Sequence, residues 1–146
     1  MDGNAGISFS GGRIVAAIAA TTVGAALVGS VVLTFLLSYK QPDPWSEFPE
    51  LWVVTFLWGL LFALIPALVL GLIVELPYAW LIGHRTGVLA HIIFSAACGA
   101  SLMIAWGLWE AAHSSNGRTE MVPLMIILGL LGGICSAFAW TRFVIR

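Results

Sequence analysis

Charge is what this sequence has least of. Six Lys and Arg and seven Asp and Glu make up 9% of 146 residues, whereas a soluble domain carries about 25%. So few charged side chains cannot clothe a water-soluble fold. The net charge of −1 supplies no basic surface, so nucleic acid is not an expected partner. Cysteine is nearly as scarce. Cys98 and Cys135 are the only two, both inside apolar runs and without a C-x-x-C spacing. A disulfide framework, a redox pair and a structural zinc site are therefore not expected, and both thiols read as small apolar fillers. No N-x-S/T acceptor, Walker loop, G-x-S-x-G, H-E-x-x-H or Asp-rich metal motif occurs. The histidines His84, His91 and His113 do not make a haem site within one chain. His91 and His113 lie 22 positions apart on or beside one helix, roughly 33 Å at 1.5 Å per residue. Catalysis needs several polar groups converging on one place, and the spans hold too few. We expect no catalytic residues, no metal, no cofactor and no enzymatic activity.

What is present is apolar: 60% of the residues, in uninterrupted runs. The runs predict helices at about 14–37, 51–76 with an apolar extension to 82, 88–109 and 122–141. Each approaches or exceeds the roughly 20 residues that cross ~30 Å of hydrocarbon. Helices are the form expected, because lipid offers backbone N–H and C=O groups no other partner. The ~10-residue alternating segments of a membrane barrel are not seen. The first run is too long for the 7–15-residue core of a signal peptide and reads as a retained helix. The expected fold is all-α: one domain over 1–146, a four-helix transmembrane up-down bundle with the lipid bilayer as its partner.

Orientation follows from Lys and Arg. The N-terminus, the 83–87 turn and the C-terminus share a side holding Arg13, Arg85, Arg142 and Arg146; the other side holds Lys40 and Arg118. That bias places both termini in the cytoplasm. Six of the seven tryptophans fall at expected boundaries: Trp45, Trp52, Trp106 and Trp109 outside, Trp80 and Trp140 inside. Only Trp58 lies deep in a span, so the pattern reads as an aromatic belt.

Small residues recur every fourth position. The first span carries Ala17, Thr21, Ala25 and Gly29, with a second row of Ala16, Ala20 and Gly24. The third carries Ala97, Ser101 and Ala105, and the fourth Gly129, Gly133 and Ala137. Such rows let helix backbones approach closely. They serve packing within the chain, or leave a face free for a second copy or another membrane protein.

One residue stands out. Glu75 lies near the end of the second run, in "GLIVELPYAWLIGHR". Counted from Trp52, it arrives at the inner headgroup region after about 33 Å of helix. We read it as an anchor at that boundary, paired with Arg85 or His91, with Tyr78 and Trp80 as interfacial anchors beside it. In the alternative, the helix runs on to Ile82. Glu75 is then submerged, and an intramembrane carboxylate is a functional candidate, here a proton carrier. Pro66 and Pro77 are the expected kinks of this span.

The segments "VELPYAWLIGHR" and "LGLLGGICSAFAWTRFV" resemble small four-span bacterial inner-membrane proteins with no assigned function. The resemblance covers about a third of the chain and implies a bacterial inner-membrane location, with no activity to carry over. The leading expectation is a non-enzymatic accessory or oligomerising subunit acting through helix packing. The rival is a small proton-coupled transporter using Glu75. The small multidrug resistance proteins are four-helix chains with one essential membrane carboxylate, although theirs is central on the first span.

Overall fold

The computed structural model describes residues 10–39, 46–81, 87–113 and 122–145. Among them helix is the sole regular secondary structure. The chain forms four helices long and apolar enough to cross a membrane: α1 (Gly11–Ser38), α2 (Phe48–Leu81), α3 (Val88–His113) and α4 (Val122–Ile145). Each begins earlier or ends later than the apolar runs alone suggest, and local features at several ends, which hydropathy does not register, account for part of this. The Ser10 hydroxyl accepts from the Arg13 N–H at 3.4 Å and starts α1. Pro49 sits in the first turn of α2, where its missing N–H costs nothing. His113 lies against the Trp109 carbonyl at 2.8 Å in the last turn of α3.

The extension of the second span is helix, not an interfacial strand of chain. α2 passes Pro66 without a break. It then widens into a π-turn over Leu70–Glu75, where the Leu76 N–H reaches back five residues to the Gly71 carbonyl, and continues as α-helix over Leu76–Leu81. Pro77 lacks a donor, and its ring would clash with the carbonyl four residues earlier in an unbroken α-helix. A local π adjustment is one way in which membrane helices accommodate that defect. A second π-turn, Thr141–Ile145, ends α4.

The helices pack in the order α2, α1, α4, α3. Thr34 late in α1 hydrogen-bonds Thr55 early in α2 at 2.7 Å, while Ile18 early in α1 meets Gly71 late in α2. Gly24 and Gly29 of α1 approach Cys135 and Leu128 of α4, again in opposite senses. The closest pairing is α3 on α4. A Cβ placed on Gly133 would strike the Ser95 carbonyl oxygen, and one placed on Gly99 the Gly129 carbonyl oxygen. Only glycine permits this approach of backbone to backbone. By contrast, α2 comes close to α3 chiefly at its π-turn.

The rows led by Ala17 on α1 and by Gly129 on α4 therefore face inward, whereas the α3 row of Ala97, Ser101 and Ala105 is exposed. Ala17 and Thr21 of α1 and Gly129, Gly133 and Ala137 of α4 are buried, and Ala25 and Gly29 border an interior cleft. Two aromatic residues expected at the interface are instead enclosed by protein. Trp140 is fully buried among Ala17, Ile18, Ala79 and Val144, and Tyr78 is buried against α3. Trp80, Trp106 and Trp109 are exposed. Trp45 and the inner-turn cation Arg85 lie outside the described residues.

Two neighbouring glycines test the packing. Gly133→Ala forces α3 and α4 apart, at a cost of about 1–3 kcal/mol for overpacking. A Cβ at Gly132 meets nothing nearer than the Ala25 Cβ at 3.9 Å. Thermal unfolding in detergent should show a lower Tm for Gly133→Ala and an unchanged Tm for Gly132→Ala. Equal Tm values would contradict the close α3–α4 contact.

Candidate functional site

The end of the bundle that holds both π-turns carries a buried polar cluster. Glu75 is the last residue of the α2 π-turn and is 0% exposed. His91 and Ser95 come from the first two turns of α3, four residues apart and so on one face. Thr141 opens the π-turn of α4. The Ser95 hydroxyl donates to Glu75 Oε1 at 2.6 Å. His91 Nε2 lies 2.6 Å from Glu75 Oε2, and His91 Nδ1 lies 3.1 Å from Thr141 Oγ1. One unbroken chain of hydrogen bonds thus joins Ser95, Glu75, His91 and Thr141 across three helices.

The enclosure is tight. His91 is 3% exposed and Ser95 0%. The Tyr78 ring, one turn beyond Glu75, stacks on the imidazole with centroids 4.7 Å apart and planes 9° from parallel. Its ring also stacks with Phe94 at 4.8 Å. An aromatic lid from α2 therefore covers the histidine that pairs with the α2 carboxylate.

Both partners fit more than one placement of the protons. With Glu75 ionised, Nε2–H donates to it. Nδ1 then either accepts from the Thr141 hydroxyl, leaving imidazole neutral, or donates to it as imidazolium. With a carboxylate against an imidazolium, one proton balances the cluster to no net charge. A third placement puts that proton on the carboxyl group and leaves Nδ1–H donating to Thr141. It differs by a short proton shift and needs no heavy-atom movement.

Glu75 is therefore exposed to neither water nor lipid; it is enclosed by protein near one end of the helices. Of its two expected partners, His91 is in contact and Arg85 is outside the described residues. Pro77 lies two residues from Glu75, whereas Pro66 lies farther from the cluster on α2, against the interior cleft. Ser95 and Thr141 were not singled out from sequence. The i, i+4 spacing of His91 and Ser95 was a usable signal; nothing in the neighbourhood of Thr141 was. Among the described residues no group of three His, Cys, Asp or Glu side chains is placed to hold a metal. The site brings together one carboxylate, one imidazole and two hydroxyls from three helices.

Removing one member of the pair strands the other. His91→Ala leaves a buried carboxylate without its main partner and should cost about 3–5 kcal/mol. Ser95→Ala removes one donor and should cost about 1–3 kcal/mol. Glu75→Gln is expected to be milder than His91→Ala. Its amide oxygen still accepts from Ser95, and its NH2 can donate to Nε2 while Nδ1–H turns to Thr141. Unfolding in detergent measures all three, and a His91→Ala protein as stable as the parent would show that the pair holds nothing together.

Compared with family models, curated proteins and solved structures, the chain matches none.

Proposed function

We propose that this chain is a non-enzymatic, multi-pass protein of a bacterial inner membrane that acts as an accessory or oligomerising subunit through helix packing. In this reading it is an up-down bundle with both termini in the cytoplasm. The observation that carries it is the enclosure of Glu75. A carboxylate that is 0% exposed, with each oxygen engaged and an aromatic lid over its partner, is built as a fastener between helices. It does not border the interior cleft, so it meets no substrate there.

The fastener has a definite task. Away from the π-turn, α2 leans mainly on α1 and is the least enclosed of the four helices. Glu75 ties its end to α3, and through His91 to α4. Because the small-residue rows of α1 and α4 are turned inward, the faces left for a partner helix are the exposed Ala97, Ser101 and Ala105 row of α3 and the outer face of α2. Leu57, Trp58, Leu61 and Ile65 are exposed there.

A second reading, a proton-coupled transporter, draws on one observation: the chain from Ser95 through Glu75 and His91 to Thr141 lets a proton shift without moving heavy atoms. Intramembrane ionisable residues commonly mark such relays.

Three measurements separate these ideas. Single cysteines at positions 57, 61 and 101, in a protein lacking Cys98 and Cys135, should form disulfide-linked dimers in membranes on whichever face pairs; strict monomers at all three positions would remove the basis for the packing role. Impermeant thiol reagents should treat positions 4, 85 and 142 alike and positions 43 and 116 oppositely, and any other division overturns the topology. Proton-linked flux in proteoliposomes that is lost in a stable Glu75→Gln protein would establish the transporter instead.

A further inference from the structure

Glu75 and His91 are the only Asp, Glu, His, Lys or Arg side chains buried among the described residues. The groups that face them from each helix add no balancing charge. α2 adds the Tyr78 ring, and α3 adds the Ser95 hydroxyl and, two turns deeper, the Cys98 thiol. α4 adds the Thr141 hydroxyl. The other charged side chains described at this end, Arg13 of α1 and Arg142 of α4, are exposed. His84 and Arg85 lie outside the described residues. Among the described groups, the pair alone therefore sets the charge of the enclosure.

A carboxylate against a neutral imidazole leaves one negative charge inside. One further proton removes it, whether it rests on the imidazole or on the carboxyl group. A buried charge without a counter-charge is strongly destabilising, so the closed cluster is best made with that proton in place. Apart, the two groups hold it less well. His91 is three residues from the start of α3 and Glu75 six from the end of α2. Both are within ~9 Å of a helix end at 1.5 Å per residue, so once parted they meet water. Free imidazole gives up its proton at about pH 6.5 and a free glutamate carboxyl at about 4.3. Above about pH 6.5 the parted pair thus holds one proton fewer than the closed pair. Closing then becomes harder as pH rises, until the closed pair too has released the proton. Between about pH 4.3 and 6.5 both hold the same number, and pH has no effect.

We propose that the cluster is a proton-linked clasp: docking the end of α2 onto α3 takes up one proton, and the dock loosens as pH rises above neutral. The effect is local, because α2 approaches α3 chiefly at its π-turn while α1 holds the rest of it. The clasp is the fastener described above placed under proton control, and it requires that fastener.

The test uses the full chain in lipid nanodiscs, lacking Cys98 and Cys135 so that no thiol takes part. Hydrogen exchange, corrected for the intrinsic effect of pH, compares the opening of residues 76–81 with that of residues 56–63. Protection of 76–81 should fall about tenfold per pH unit above about pH 7, the dependence of a one-proton linkage, and stay level between about pH 5 and 6. Residues 56–63 should stay level throughout. Glu75→Gln makes a neutral cluster without the added proton. Its protection should stay level above about pH 7 and fall instead below about 6.5, as an imidazolium forms with no carboxylate opposite it. If that protein does not fold, Glu75→Gln combined with His91→Gln, a pair of amides, should show no pH effect at 76–81. Level protection of 76–81 in the parent above about pH 7, or an equal fall in the amide variants, overturns the clasp. If His91→Ala is still less stable than the parent, that result leaves the fastener without proton control; a His91→Ala protein as stable as the parent removes both.

Discussion

A carboxylate placed among apolar helices must find its partners within the protein, because lipid offers none. Around Glu75 that requirement organises one whole end of the molecule. Ser95 and His91 reach it from α3, Thr141 supports the far side of the imidazole from α4, and Tyr78 closes over the top. A buried pair of this kind does not add much stability by itself, since desolvation offsets much of the attraction. Its effect is specificity of arrangement. Any helix register that fails to bring these side chains together strands a charge.

The two π-turns belong to the same solution. Each inserts an extra residue into the helical repeat and so redirects the side chains at its limits. One ends at Glu75 and the other begins at Thr141. The α2 turn also brings Gly71 close against Ile18 and Trp140, where an added Cβ would lie 3.1 and 3.3 Å from their carbons. π-turns are rare and concentrate at functional sites. Here they place two polar groups, from different helices, on one imidazole.

Packing is uneven across the bundle, and the unevenness explains why a pin is needed. α3 and α4 meet backbone to backbone through Ser95, Gly99, Gly129 and Gly133. α1 and α2 are joined by aliphatic contact and the Thr34–Thr55 hydrogen bond. Hydrocarbon solvates an exposed leucine as well as a neighbouring helix does, so apolar surface alone does not draw α2 to α3. Where the polar pin acts, the helices meet; elsewhere they stay apart and leave the cleft.

Much of this was legible in the sequence. Run length and composition determine the four long helices, since a backbone in hydrocarbon must satisfy itself. The lone carboxylate in "GLIVELPYAW" marks the site, and His91 was named as one of its partners. The Gly129–Gly133 row announces a close helix contact. Tertiary structure alone decided the rest. It carried α2 past Pro77, because the π-turn accommodates the missing donor. It enclosed Trp140 and Tyr78, because an aromatic side chain near a helix end serves a core or an interface equally well until its neighbours are known. It recruited Ser95 and Thr141, because hydroxyls bonded to their own helix and hydroxyls bonded across helices look the same in one dimension. Hydrophobicity reads out along the chain, residue by residue; which polar atoms meet is a property of distances between chain segments, and those exist only once the helices are packed.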